Sequence, residues 1–68
     1  MSIKDIINKT NDYQLVTIYD VDNGESLIEN VHAGSCEFIQ DELKKCGLEL
    51  DTPIFSIHVD HDVLYINV

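Results

Sequence analysis

Hydrophobic positions at the start of the chain follow a helical period. Ile3, Ile6 and Ile7 fall on one face of a helix, and most of the neighbouring residues are polar. Ser2 is a favourable N-cap, and Asp5 lies in the first turn, where the helix dipole stabilises a carboxylate. The pattern predicts a short first helix within residues 2–10.

A longer helix is predicted between residues 35 and 47. Its apolar stripe consists of Cys36, Ile39, Leu43 and Cys46. Ser35 is a candidate N-cap, and Gly47 is a candidate C-terminal stop. Ten residues of helix separate the two cysteines by about 15 Å, so they can neither form a disulfide with each other nor ligate one metal ion.

Two strands joined by a tight turn are predicted in residues 15–31. The stretches LVTIYDV and ESLIENV flank Asn23-Gly24, a dipeptide that favours two-residue hairpin turns. This turn pairs Asp22 with Glu25, Asp20 with Leu27, and Ile18 with Glu29. One face then carries Val16, Ile18, Leu27 and Val31, and the other carries Leu15, Tyr19, Val21 and Ile28. Both faces are partly apolar, so the pattern leaves open which one is buried.

The end of the chain predicts a second hairpin with a clearer alternation. The strands IFSIHV and VLYINV are joined by a two-residue turn, His61-Asp62. One face carries Phe55, Ile57 and Val59 opposite Val68, Ile66 and Leu64. The other face is mostly polar, which is the pattern of a sheet packed on one side.

The elements follow one another in the order α-β-β-α-β-β. This order is typical of an α+β protein, and we expect one domain over residues 1–68, with one main helix packed on a four-stranded sheet. A right-handed crossover through the second helix would return the third strand parallel to the second.

The charge restricts the classes of partner. Thirteen Asp and Glu stand against four Lys, which gives a net charge of −9. This charge disfavours direct binding to nucleic acids and to anionic membranes, and it favours a basic protein surface. The alternative is that the acidic surface serves solubility alone. No apolar run approaches the roughly 20 residues of a membrane span and no signal peptide is recognisable, so we expect an intracellular protein.

Sequence signatures of enzymes are missing. The chain has no glycine-rich phosphate loop, nucleophile elbow or paired-cysteine redox motif. Cys36 with a nearby histidine would resemble a nucleophile and its base, but its place on the apolar stripe argues against this. We therefore expect no enzymatic activity.

Histidine, cysteine and aspartate side chains are predicted to meet at one end of the sheet. The segments VHAGSC and HVDHD follow or end strands that point the same way. The candidate zinc ligands are His32, Cys36, Asp60 and His61, with His58 or Asp62 as substitutes. Such a closed site would be structural and would stabilise a small core. The alternative places the histidines on the surface and Cys36 in the core.

Acidic residues and one aromatic residue form a candidate partner-binding set. It consists of Asp20, Asp22, Glu25, Glu37, Phe38, Asp41 and Glu42. Phe38 lies off the apolar stripe among carboxylates, so it is a candidate interface anchor. The favoured alternative is that Phe38 packs under the first helix.

Three segments carry a resemblance to known proteins. IKDIINKT, VTIYDVDNGESLIE and SIHVDHDVLYINV resemble small acidic proteins encoded by bacteriophages and prophages. Some of these are anti-CRISPR proteins, so the resemblance implies an inhibitor of a type II CRISPR nuclease that blocks DNA loading or cleavage in the cytoplasm of an infected bacterium. Two other classes remain open. One is an assembly module of a phage, which would form a homodimer through strand edges and would not be a monomer. The other is a small metal-dependent enzyme.

Overall fold

Two helices and four strands follow one another in the predicted order. The computed structural model describes residues 1–68. The elements are α1 (Ile3–Asn8), β1 (Leu15–Asp20), β2 (Glu25–His32), α2 (Cys36–Lys45), β3 (Ser56–Asp60) and β4 (Val63–Asn67). The α+β class, the element order and the single main helix are confirmed.

The four strands form one mixed sheet in the order β2-β1-β4-β3. Each hairpin pairs antiparallel, and β1 pairs parallel with β4 at the centre. The strands β2 and β3 therefore run in the same direction, as expected, but they form opposite edges of the sheet.

The first helix begins at a reciprocal cap. The Asp5 backbone N–H donates to Ser2 Oγ at 3.3 Å, and the Ser2 N–H donates to Asp5 Oδ2 at 2.9 Å. Ser2 is thus the N-cap that the sequence predicts. Hydrogen bonding to Ser2, first through its backbone N–H, lowers the pKa of Asp5.

Both helices cover the same face of the sheet. The buried apolar residues are Ile3, Ile6, Ile7, Val16, Ile18, Ile28, Ala33, Ile39, Leu43 and Ile66, with Val63 at the margin. In the first hairpin, the covered face is thus the one that carries Val16 and Ile18.

The turn of the first hairpin is wider than predicted. Asp20 faces Glu25, so four residues, 21–24, connect the strands, and the predicted pairing of Asp22 with Glu25 is wrong. The carboxylate of Asp20 accepts hydrogen bonds from the Asp22 N–H at 3.0 Å and from Asn23 Nδ2 at 2.7 Å. These hydrogen bonds of Asp20 stabilise the four-residue loop in place of a two-residue Asn-Gly turn.

Two register shifts in β2 change which residues face β1. Ile18 faces Ile28, where the predicted register places Glu29. The second shift lies beside Thr17. Thr17 Oγ1 accepts a hydrogen bond from the Asn30 N–H at 3.1 Å, and Asn30 adopts a positive φ of 53°. Extra residues in β2 thus place two buried isoleucines opposite each other.

The second hairpin has the predicted two-residue turn. Asp60 faces Val63, and both turn residues are left-handed, with φ of 51° at His61 and 64° at Asp62. Gln14 Nε2 donates to the Asp62 carbonyl at 2.6 Å and ties this turn to the start of β1.

The apolar stripe of α2 is shorter than predicted. Ile39 and Leu43 are fully buried, but Cys36 and Cys46 are exposed, so the expectation that both cysteines lie in the stripe is wrong. Ala33, just before the helix, is buried instead of Cys36. At the other end, Gly47 follows the helix with φ of 76°, as expected of a C-terminal stop.

The apolar face of β3 is not covered by the helices. Ile57 and Val59 are exposed, although their partners Ile66 and Leu64 in β4 are buried and half-buried, and Phe55, directly before β3, is exposed as well. The prediction that this side of the hairpin is packed is therefore correct for β4 and wrong for β3.

Candidate functional site

The structure does not bring the predicted zinc ligands together. His32 ends β2 and Asp60 ends β3, at the same end of the sheet but on its opposite edges. Three strand spacings of about 4.8 Å separate them by roughly 14 Å. Zinc holds its nitrogen and oxygen ligands at about 2 Å, so these two residues cannot share an ion within one chain.

The remaining candidate ligands have other contacts or none. His61 Nδ1 lies 3.0 Å from Asp60 Oδ1 on the exposed turn. His58 stacks on Tyr65 with ring centroids 4.7 Å apart, and its Nδ1 lies 3.1 Å from Asn67 Nδ2. No group of three or more His, Cys, Asp or Glu side chains is arranged to hold a metal ion. Zinc binding stays a prediction, and the geometry of a single chain offers no site for it.

The outward surface of α2 carries carboxylates around an exposed aromatic ring. Glu37 and Asp41 are exposed, and Glu42 is half-buried and pairs with Lys45 Nζ at 3.1 Å. Phe38 is 49% exposed. The favoured expectation that Phe38 packs under the first helix is therefore wrong, and its ring is accessible to a partner.

The first hairpin, which contains β2, adds two exposed carboxylates. Asp22 and Glu25 are exposed at the loop and at the start of β2. Asp20, a third predicted contact, is half-buried and uses both carboxylate oxygens within the turn, so its role is structural. Because α2 packs against β2, these accessible acids all belong to elements at the β2 edge of the sheet. This acidic flank consists of Asp22, Glu25, Glu37, Asp41 and Glu42.

A small polar cavity opens on the face of the sheet that the helices leave free. Its volume is about 240 Å³, and it is lined by Thr17, Ser26, Glu29, Asn30 and Tyr65. A carboxylate, hydroxyl oxygens and a tyrosine ring suit the ammonium or guanidinium group of a basic side chain. Sequence reasoning missed this cavity because Tyr65 comes to lie beside Thr17 only through the pairing of β1 with β4, which local spacing does not reveal.

Comparisons with known proteins leave the function to be argued from this geometry. No family model, curated protein or solved structure matches the chain. Neither helix is long and apolar enough to cross a membrane.

Proposed function

We propose that this domain is a non-catalytic binding protein that covers a basic surface of another protein and thereby inhibits it. The observation that carries the proposal is that the negative charge of the domain is hardly neutralised by ion pairs with its own lysines. Of thirteen acidic residues, Glu42 is the one that forms an ion pair with a lysine. Asp5 and Asp20 use their carboxylates in local hydrogen bonds, whereas the exposed Glu37 and Asp41 keep their charge available to a partner.

The acidic flank supplies both attraction and a point of attachment. Lysine and arginine side chains on a partner would meet Glu37 and Asp41, and such charges speed association and select partners. The exposed ring of Phe38 on the same helix can fill an apolar pocket, as aromatic anchors do in many interfaces. On the free face of the sheet, Glu29 and Tyr65 can receive one more cationic side chain.

The class of partner follows from size and charge together. The domain measures 25 × 23 × 20 Å and carries −9, while 25 Å of DNA duplex carries about 15 negative charges. A basic groove that holds nucleic acid is therefore a suitable partner surface, and occupancy by this domain would exclude the nucleic acid. An RNA-guided type II CRISPR nuclease is the specific partner that the resemblance to phage proteins implies. The domain would then act in the cytoplasm of an infected bacterium.

Guided DNA cleavage in the presence of the purified domain tests this proposal. We expect the wild type to reduce cleavage, and we expect E37K together with D41K to weaken inhibition at least tenfold because two attractions become repulsions. The matched control is E49K with D51K, which makes the same change of charge at exposed acids outside the acidic flank. Inhibition should also weaken as salt is raised.

Two results would contradict the proposal. One is unchanged cleavage together with no measurable binding of the domain to the nuclease. The other is equal loss of inhibition in the two double variants, because this would show that net charge alone, and not the acidic flank, determines binding.

A further inference from the structure

Three large apolar side chains on β3 and directly before it are exposed to solvent. Phe55 is 77% exposed, Ile57 47% and Val59 68%. Ile57 and Val59 alternate along β3 and therefore lie on the same side, beside Ile66 and Leu64 of β4. Phe55 directly precedes the strand, and its N–H donates to the Asn67 carbonyl at 2.7 Å. Phe55, Ile57 and Val59 are called the apolar edge below. Together they expose roughly 350 Å², which is within the range of the largest apolar patches on monomeric proteins.

The strand that carries the apolar edge also has a free backbone edge. β3 pairs with β4 on one side and with no strand on the other. Protein sheets usually guard such edges with charges, bulges or proline. β2 at the opposite edge is guarded by two register shifts and by Glu25 and Glu29. β3 has a regular register with β4 and carries its one acidic residue, Asp60, at its end.

We propose that a second copy of this chain pairs with β3 through an antiparallel β3–β3 contact. The charge distribution favours a copy of the same chain because the apolar edge is the part of an acidic surface where carboxylates are absent. Residues 54–59 contain none. Two chains of −9 can therefore meet at β3 while most of their charge faces away.

The side-chain pattern selects a register centred on Ile57. A two-fold axis perpendicular to the sheet then places Ile57 opposite Ile57 of the second copy, and Phe55 opposite Val59 at both ends. Every member of the apolar edge faces an apolar residue, and both copies keep their helices on the same face. The Ile54 N–H already donates to the Met1 carbonyl at 3.0 Å, so the contact is confined to residues 55–59, which contain no carboxylate.

The contact is independent of the proposed function. α2 and the acidic flank lie against β2, at the other edge of the sheet. Pairing through β3 would produce one eight-stranded sheet that exposes an acidic flank at each end. Failure of the inhibition experiment leaves this contact untouched, since the contact is measured with the domain alone.

Sedimentation of the purified domain is the first test. We expect the mass to rise toward twice the chain mass of 7.7 kDa between about 1 µM and 1 mM, and to rise more readily at high salt, which screens the repulsion between copies. V59K should weaken self-association at least tenfold, because it introduces a charge into the apolar edge. V21K is the matched control, since Val21 is 41% exposed in the loop of the first hairpin. A mass of one chain at 1 mM, or equal weakening by both variants, would overturn the proposal.

Disulfide trapping tests the register and does not depend on V59K being folded. In a background of Cys36→Ser and Cys46→Ser, Ile57→Cys places two thiols opposite each other, with Cβ atoms about 5 Å apart. Val59→Cys places its two thiols about 14 Å apart in the same register, although residue 59 is the more exposed. We expect mild oxidation to cross-link the Ile57→Cys chains at least tenfold faster. Equal rates, or faster cross-linking at residue 59, would refute the register.

Discussion

The two hairpin turns differ in how well their residues suit the backbone conformation. His61 and Asp62 both adopt left-handed backbone conformations, which cost an L-residue about 1–2 kcal/mol relative to glycine. Asn23-Gly24, a dipeptide well suited to a tight turn, lies instead in a four-residue loop because the carboxylate of Asp20 organises that loop. Side-chain hydrogen bonds thus override the stronger sequence signal.

Replacing Asp62 with glycine should stabilise the protein. Glycine removes the cost of φ at 64°, but it also increases the entropy of the unfolded chain, so we expect a net gain of about 0.5–1 kcal/mol in the free energy of unfolding. Urea denaturation measures this change. D22G is the control, since Asp22 has no positive φ and should gain nothing. A D62G variant less stable than wild type would contradict the prediction.

The capping carboxylate of Asp5 should make stability depend on pH in acid. Its pKa is lowered below the ordinary value of 3.8 in the folded chain, so the folded state favours the ionised form. The stabilisation is therefore present above the unfolded pKa and is lost as the pH falls through the lowered pKa. Thermal unfolding should show wild type more stable than D5N at pH 6, with the difference shrinking below pH 4. A difference that stays constant down to pH 2.5 would refute this role.

At the scale of elements, the existence and type of each helix and strand could be predicted, whereas the bulged register of β2 could not. Helical and alternating patterns locate all six elements, because apolar spacing reflects which side of an element is buried. The register of β2 depends on Thr17, which is only 3% exposed and whose hydroxyl binds the Asn30 backbone across the sheet. A contact between residues 13 positions apart leaves no signal in local spacing.

Removing the Thr17 hydroxyl should weaken the sheet by about 1–2 kcal/mol. T17V keeps the shape of the side chain but leaves the Asn30 N–H without this acceptor. T17S retains the hydroxyl and should keep the register, with a smaller loss from the missing methyl group. Urea denaturation of the two variants gives the comparison. A T17V variant as stable as wild type would show that the hydrogen bond does not stabilise the sheet.

At the scale of the whole molecule, charge and apolar surface lie at opposite edges of the sheet. The excess of carboxylates is readable from composition, and the directions of the strands follow from the two hairpins and the crossover. The order of the strands is not readable in this way, since β4 pairs with β1, which lies far from it in sequence. This order separates His32 from Asp60, and the extent of the helices leaves β3 uncovered.

The two proposed contacts should respond to salt in opposite directions. Binding of a basic partner through the acidic flank weakens with salt, because screening reduces the attraction. Self-association through the apolar edge strengthens with salt, because screening reduces the repulsion between two chains of −9. Measuring both on the same preparation separates the two surfaces without any substitution.

The central position of β4 also has a consequence for synthesis on the ribosome. Residues 63–67 pair with β1 on one side and β3 on the other, so the middle of the sheet is made after the other three strands. A nascent chain that lacks these residues has two separate edges and no continuous sheet, and folding must await their emergence from the exit tunnel. Termination before residue 63 would therefore yield a chain that stays unfolded and exposed to proteases.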